Sequence, residues 1–291
     1  MAETEDLRST GGVPSAAAGP SGILRVATYN VNSVRARAEL LQAWLPRAQP
    51  DILCLQETKV TDAEFPLELF TSLNYRCWTH GQPGYNGVAI CSRVDLDEVQ
   101  SGIDELQDRQ ARLLTASVGP LRLVNVYVPH GDLPGTEKFR HKLEFFGRLR
   151  QALQRLASVS EWLMVVGDLN VAHTDLDVWD PEALAGTVGV LPEERAAFQQ
   201  LLDSGLVDCY RRLYPEGRDF TWWDYRGAGI WKNQGMRIDY VLASPRTAAC
   251  CLRVSVDLWA RKRRTPRPSD HAPVMAEFAF PWLEPRRVPL S

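Results

Sequence analysis

Six polar residues mark the edges of apolar runs in this sequence: Asn30, Glu57, Asp168, Asn170 and Asp270 stand where a run stops or is about to start, and Asp239 lies just inside one. Strand ends are where sheet scaffolds hold reactive groups. With Tyr127 and His271, this set supplies what cleavage of a phosphodiester requires. Magnesium binds oxygen, prefers octahedral geometry and keeps several waters, so one or two carboxylates suffice to hold it. Glu57, followed by Thr58 and Lys59, is the first choice of ligand. Breaking a P–O bond also needs a base that orients and deprotonates water, donors for the pentacoordinate transition state, and help for the departing oxygen. Asp168 and Asn170, two residues apart after a buried run, suit the base and its polar partner. His271 suits a donor to phosphate as imidazolium, provided that a carboxylate such as Asp239 raises its pKa and holds the ring. Each position has a plainer explanation, since Asn and Asp start turns and cap helices, and Ser269-Asp270 could be a simple cap. The joint occurrence of all of them favours chemistry.

The elements that must position these groups alternate in type. ILRVATY (23–29) reads as a strand, a helical stretch from Val34 is expected to stop at Pro46, and DILCLQ (51–56) is a strand again. GVAIC (87–91), RLLTASV (112–118) and LRLVNVYV (121–128) are strand-like, with Gly119-Pro120 turning the chain between the last two. Between residues 137 and 157, Phe139, Leu143, Phe146, Leu149, Leu153 and Leu156 recur at spacings of three and four, which makes one helix face. EWLMVVG (161–167) reads as a buried strand, PEERAAFQQLL (192–202) as a helix opened by proline, and IDYVLAS (238–244) and APVMAEFAF (272–280) as closing strands. Such alternation implies an α/β or α+β sandwich. Residues 1 to about 22 are rich in Gly, Ala, Ser and Pro without a period and read as a flexible arm. Strands recur as far as Phe280 with no linker-like break, so one domain is expected over 23–282, followed by a tail over 283–291.

Hydrophobic content of 45% and charged content of 24% argue against wholesale disorder and against a fibrous class. No apolar run approaches the roughly 18 residues of a membrane span. The opening MAETEDLRSTGG is acidic and polar where a secretory signal would be basic and then apolar. The expectation is a cytoplasmic protein with no membrane partner, nucleoid-associated in a bacterium or nuclear in a eukaryote. Cys54, Cys77, Cys91, Cys209, Cys250 and Cys251 form no zinc-binding spacing, and all are expected to be reduced thiols. A net charge of −3 gives no global attraction to nucleic acid. Any polyanion site must therefore depend on local charge, and Arg253, Arg261, Lys262, Arg263, Arg264 and Arg267 offer it against a single Asp257. The alternative for that run is a solvated loop.

The motifs LRVATYNVNSVRAR, PDILCLQETKV, YNGVAI, VNVYVPHG, VVGDLNVAHTDLD, LPEER, FTWWDYR, MRIDYVLAS and PSDHAPV appear in this order. Together they resemble the exonuclease III type of apurinic/apyrimidinic (AP) endonucleases, within the endonuclease/exonuclease/phosphatase superfamily, from about Leu24 to Phe280. The resemblance implies a DNase I-like fold: a four-layer α/β sandwich in which two packed mixed sheets are flanked by helices. It implies Mg2+, with Mn2+ as a substitute, held by Asn30 and Glu57 with Asp270 nearby. It implies Tyr127 at the scissile phosphate, Asp168 as the base, Asn170 as its partner, and Asp239 orienting His271. Trp222, Met236 and Ile238 would form an apolar pocket for a flipped-out abasic sugar, and the substrate would be double-stranded DNA with abasic sites or blocked 3′ ends, cut by a monomer. Departures are His130 in place of a side-chain amide that contacts phosphate, Pro83 in place of a DNA-holding lysine, and Asn32 in place of a second metal-site acid. The segment over 178–191 is short and lacks basic residues. Two rivals share the motifs: a small-molecule or lipid phosphodiesterase or phosphatase of the same superfamily, and a non-catalytic DNA-binding scaffold.

Overall fold

The computed structural model describes residues 22–103, 108 and 110–283. The expected arm, apart from Gly22, and the expected tail, apart from Leu283, lie outside those residues. Two six-stranded mixed sheets pack face to face. The first contains β1 (Gly22–Asn30), β2 (Ile52–Gln56), β3 (Arg76–His80), β4 (Val88–Ser92), β11 (Cys251–Val256) and β12 (Val274–Phe280), in the order β11-β12-β1-β2-β4-β3. The second contains β5 (Asp97–Ser101), β6 (Leu113–Val118), β7 (Leu121–Tyr127), β8 (Leu163–Asp168), β9 (Val207–Asp208) and β10 (Asp239–Ala243), in the order β5-β6-β7-β8-β10-β9.

Side-chain alternation builds the layers. Leu24 and Val26 of β1, with Cys54 and Ile90, meet Leu121, Leu123, Met164 and Val166 of the other sheet in the central core. The intervening Ala27, Tyr29, Leu53 and Leu55 face helix α1 (Ala38–Ala48) through Leu41, Trp44 and Leu45. On the opposite outer face, Val124, Val126 and Val165 pack under Phe145, Phe146, Leu149 and Leu153 of helix α3 (Glu137–Val159), with Phe198 and Leu201 of helix α5 (Pro192–Asp203). Central strands covered on both faces are apolar throughout, which is why their runs are continuous in the sequence. One polar pair interrupts the inter-sheet core: Gln56 Nε2 donates to Asn125 Oδ1 at 2.7 Å, and Asn125 Nδ2 donates to the carbonyls of Leu55 and Ala89. This pair pins the sheets together one step below Glu57 and two below Tyr127.

Three local expectations need correction. Helix α1 runs through Pro46 to Ala48, because a proline in the last turn forfeits only one backbone bond, and the Gln49 N–H still closes onto Leu45 O at 2.9 Å. The buried face of α3 is rotated relative to the expected stripe: Lys142 and Phe145 are buried, whereas Leu143 and Leu156 are only partly so, because the helix packs on α5 as well as on the sheet. Cys77 and Cys91, expected as free thiols, are joined by a disulfide. They are directly opposite in the β3–β4 register, with Cα atoms 4.0 Å apart. That juxtaposition is invisible in the sequence, where β3 carries no clear strand pattern.

Gly167 shows how closely the second sheet is drawn at the site. An added Cβ there would lie 1.8 Å from Val126 O, and the backbone has φ +146°. Gly167→Ala is therefore expected to destabilise the fold by about 3 kcal/mol or more, the upper end of overpacking costs. Chemical denaturation measures this directly, and a loss below about 1 kcal/mol would show that the sheet accommodates the methyl.

Candidate active site

The strands carrying the polar residues finish at one common rim. Asn30 ends β1, Glu57 follows β2, Tyr127 ends β7, Asp168 ends β8, and Asp239 begins β10. Because β10 runs antiparallel to β8, its first residue lies beside Asp168, while parallel β7 sets Tyr127 on the other side. Contact between strands β1 and β8 brings the two sheets together here: Asn30 Nδ2 donates to Glu57 Oε1 of its own sheet at 2.8 Å and across the gap to Asp168 Oδ2 at 2.9 Å. Glu57 has φ +52°. A non-glycine residue held there costs on the order of 1–3 kcal/mol and persists because the surroundings impose it: Ser33 and Val34 N–H donate to the Glu57 and Thr58 carbonyls.

Charge is concentrated in this small volume. Oxygens of Glu57 and Asp168 and a ring nitrogen of His271 lie within 4.8 Å of one another. His271 Nδ1 is 2.8 Å from Asp239 Oδ2, and its Nε2 faces Asp168 Oδ2 at 3.8 Å. Burial pulls the His271 pKa down, but Asp239, Asp168 and Asp270 outweigh it and raise it to about 10. The surrounding carboxylates favour the imidazolium form of the ring, which makes it a donor. Burial pushes the Asp168 carboxyl up to about 7 against the pull of His271. Burial also raises Glu57, but Lys59 and the Asn30 amide more than offset it and leave it below its ordinary value. Tyr127 is held well above the ordinary phenol range by burial and by Glu57 and Asp168, so it is a neutral donor.

Glu57, Asp168, Asp239 and Asp270 face His271 and Lys59, with the Arg112 guanidinium near Glu57 and Arg261 near Asp270. The hard oxygen donors of Glu57 and Asp168 fit a divalent cation. Asn30 presents its Nδ2 to those carboxylates, while its oxygen accepts from the Asn32 N–H at 3.0 Å. Asp270 stands to one side, accepting from Asn32 Nδ2 at 2.9 Å and Trp222 Nε1 at 3.0 Å. A cavity of about 340 Å³ opens over the cluster, with Glu57, Tyr127, Asn170, Asp270 and His271 on its polar side and Trp222, Met236 and Ile238 on its apolar side. His130 is on its exposed rim. Met236 and Ile238 face the cavity together because Arg237 between them points away into a buried ion pair, its Nε 2.7 Å from Asp177 Oδ1.

Several residues at the site went unrecognised in the sequence. Lys59 pairs with Glu57 at 2.7 Å and donates to Asn32 Oδ1 at 2.6 Å. Val188 and Gly189 close the apolar wall. Ser269 Oγ accepts from the His271 N–H and donates to Asn30 O, coupling the two loops. Lys142 and Glu194 form a fully buried ion pair whose Nζ donates to Asn170 O and His130 O, while Glu194 Oε2 accepts from the Gly189 N–H. A lysine on the apolar face of α3 was the available signal. Lys142→Ala leaves Glu194 buried without its partner and is expected to cost about 3–5 kcal/mol. Thermal unfolding checks this, and an unchanged midpoint would show that the pair is dispensable.

A two-sheet sandwich with a carboxylate, imidazolium and amide cluster at its shared rim defines a hydrolase of phosphate esters. The pattern of the endonuclease/exonuclease/phosphatase family matches residues 27–271, and the chain belongs to that family, in its exonuclease III-type AP endonuclease branch. Over 268 residues it is 37% identical to exodeoxyribonuclease III of Haemophilus influenzae, covering 88% of this chain and all of that protein. The structure of the 3′ phosphatase NExo from Neisseria bound to a product DNA hairpin superposes with a TM-score of 0.85 at 40% identity, covering 88% of this chain and all of that one. An AP endonuclease from Archaeoglobus fulgidus gives 0.84 at 36% identity, again with 88% and full coverage. No helix among the described residues is long and apolar enough to cross a membrane.

Proposed function

We propose that this protein hydrolyses DNA phosphodiester bonds on the 5′ side of abasic sites in base-excision repair, and that it also trims blocked 3′ ends as a 3′–5′ exonuclease and 3′ phosphatase. The reading assigns this work to one catalytic domain over residues 23–282, acting on double-stranded DNA where the cell keeps it, in the cytoplasm or nucleus. It rests on one observation above others: the reactive cluster and the apolar wall of Trp222, Met236 and Ile238 share a single cavity. A bare deoxyribose presents an apolar face and no base, so it fits such a wall beside the reacting phosphate. An abasic nucleotide also has little stacking to lose on extrusion, which makes it the cheapest to flip.

The chain's own groups divide the labour. Asp168 takes the proton of the attacking water, and Asn170 orients that water; the Asn170 N–H donates to Asp168 Oδ1 at 2.9 Å, holding the two in register. His271 and the phenol of Tyr127 donate to the phosphate oxygens, which gain charge in the transition state. Asp239 holds the imidazolium in place. Glu57 would be the principal ligand of Mg2+, or Mn2+ in its place, with Asn30 orienting its carboxylate and Asp270 nearby. Such a cation supplies Lewis-acid stabilisation of the phosphate and the leaving oxygen. His130 meets the flanking phosphate.

A parallel assay on abasic, recessed and 3′-phosphorylated duplexes, with Mg2+ and with chelator, tests the reading. Incision 5′ to the abasic site in Mg2+, abolished by chelator, is expected. Absence of incision, or faster turnover of an inositol phosphate, would overturn it in favour of a small-molecule phosphatase.

A further inference from the structure

The basic run between residues 253 and 267 is not one surface. Arg261 is buried and occupied with the carbonyls of Asp270 and Trp223, so it supports the site loop from beneath. Arg253 lies apart on β11, opposite Glu277 of β12, and the other four cations line two adjoining grooves. Trp259, Lys262, Arg263 and Arg264 line the first; Tyr225, Trp231, Arg263 and Arg267 line the second together with Asp224 and an edge of Arg261, so Arg263 joins them. Pro268, which also lines the second groove, is two residues from Asp270 in the catalytic cavity. Tyr225 fastens this wall to the site, donating to Pro268 O at 2.9 Å and accepting from Arg37 at 2.6 Å.

We infer that these grooves bind the phosphodiester backbone of the duplex flanking the reacting phosphate, independently of sequence, with Lys262, Arg263, Arg264 and Arg267 as the phosphate contacts. Charge and preorganisation carry the inference, which builds on the nuclease reading. None of these four cations has an ion-pair partner among the described residues, whereas Arg25, Arg122, Arg195, Arg211 and Arg237 each face a carboxylate. The two nearby acids are occupied: Asp224 with Arg226, and Asp257 with the Trp259 N–H and Trp44 Nε1. Two of the arginines lie against rings, Arg263 at 4.0 Å from the Trp259 centroid and Arg267 at 5.5 Å from that of Tyr225. A guanidinium held against a ring loses less freedom on binding; the Nε of Arg263 is buried, which leaves its terminal N–H groups to meet a phosphate. In a chain of net charge −3, such a concentration is the local field that a polyanion requires.

The test is equilibrium binding to an undamaged duplex in chelator, from low to moderate salt, for wild type, for Lys262→Ala/Arg264→Ala and for the triple variant that adds Arg267→Ala. The first two positions are exposed, so the double variant isolates charge from packing. The logarithmic salt slope is expected to become shallower by about 0.9 for each cation that meets a phosphate, with affinity falling on the order of tenfold. On an abasic duplex, KM should rise while kcat stays constant. A salt slope equal to wild type in both variants overturns the inference, whether or not the DNA is cut. A reduced slope in a protein that incises no abasic DNA would keep the groove and overturn the nuclease reading.

Discussion

Asp168→Asn lowers the single-turnover rate of abasic-site incision by about 10³-fold or more while leaving duplex affinity intact. In the proposed mechanism the carboxylate takes a proton from the attacking water, and an amide cannot. Its two oxygens accept from Asn30 Nδ2 and the Asn170 N–H, and an amide keeps only one acceptor for them. The cost is a local donor clash of about 1–3 kcal/mol, too small to unfold a domain of this size. No cationic duplex contact is lost, and removing a negative charge from beneath the phosphate favours binding. A near-normal incision rate would show that the base lies elsewhere. The wild-type rate should climb as pH rises and Asp168 loses its proton, an event that burial moves upward toward neutrality and that a bound divalent cation moves back down.

Asp239→Ala acts through the ring it faces. With Asp239 gone, burial, the largest influence on His271, is opposed only by the more weakly acting Asp168, Asp270 and Glu57, so the titration midpoint falls from about 10. Incision at neutral pH should drop about 10²-fold, the cost of one misplaced donor to a developing oxyanion. The alkaline limb of the pH profile should move to lower pH. The sign for stability follows the same linkage: a histidine whose folded pKa lies above its unfolded value of about 6.5 stabilises the fold fully below that value, and this contribution is lost as pH rises through about 10. The variant should therefore be less stable than wild type near neutrality, with the gap closing above pH 10. NMR titration of His271 with denaturation at several pH values checks both, and an unmoved midpoint would break the coupling between Asp239 and the ring.

The two substitutions differ in what they reveal about selectivity. In the proposed function Asp168 and Asp239 carry the chemistry, whereas Trp222, Met236 and Ile238 carry the choice of substrate. The apolar wall depends on a buried electrostatic clasp, Arg237 with Asp177, in the segment leading into β10, which turns Arg237 away so that Met236 and Ile238 face the cavity. On the proposed reading, specificity for a base-free sugar draws on a buried ion pair behind the cavity wall.

Much of this was legible in the residues themselves. Apolar runs covered on both faces announce central strands, so β1, β2, β4, β6, β7, β8, β10 and β12 could be placed from composition alone, and the polar residues at their ends stood out against them. Edge strands were not legible: β5, with the sequence DEVQS, and the two-residue β9 bury too little to leave a pattern. Nor were relations between residues distant in the chain. Whether Asn30 would reach Asp168, 138 positions away, depends on two sheets closing at one rim. Whether Cys77 meets Cys91 depends on the register of a strand pair, and whether a lysine on α3 is stranded or paired depends on Glu194 arriving from another helix. Local sequence determines periodicity and propensity because these act over a few residues. Pairing, burial and the protonation of His271 emerge only when folding excludes water and sets charges side by side.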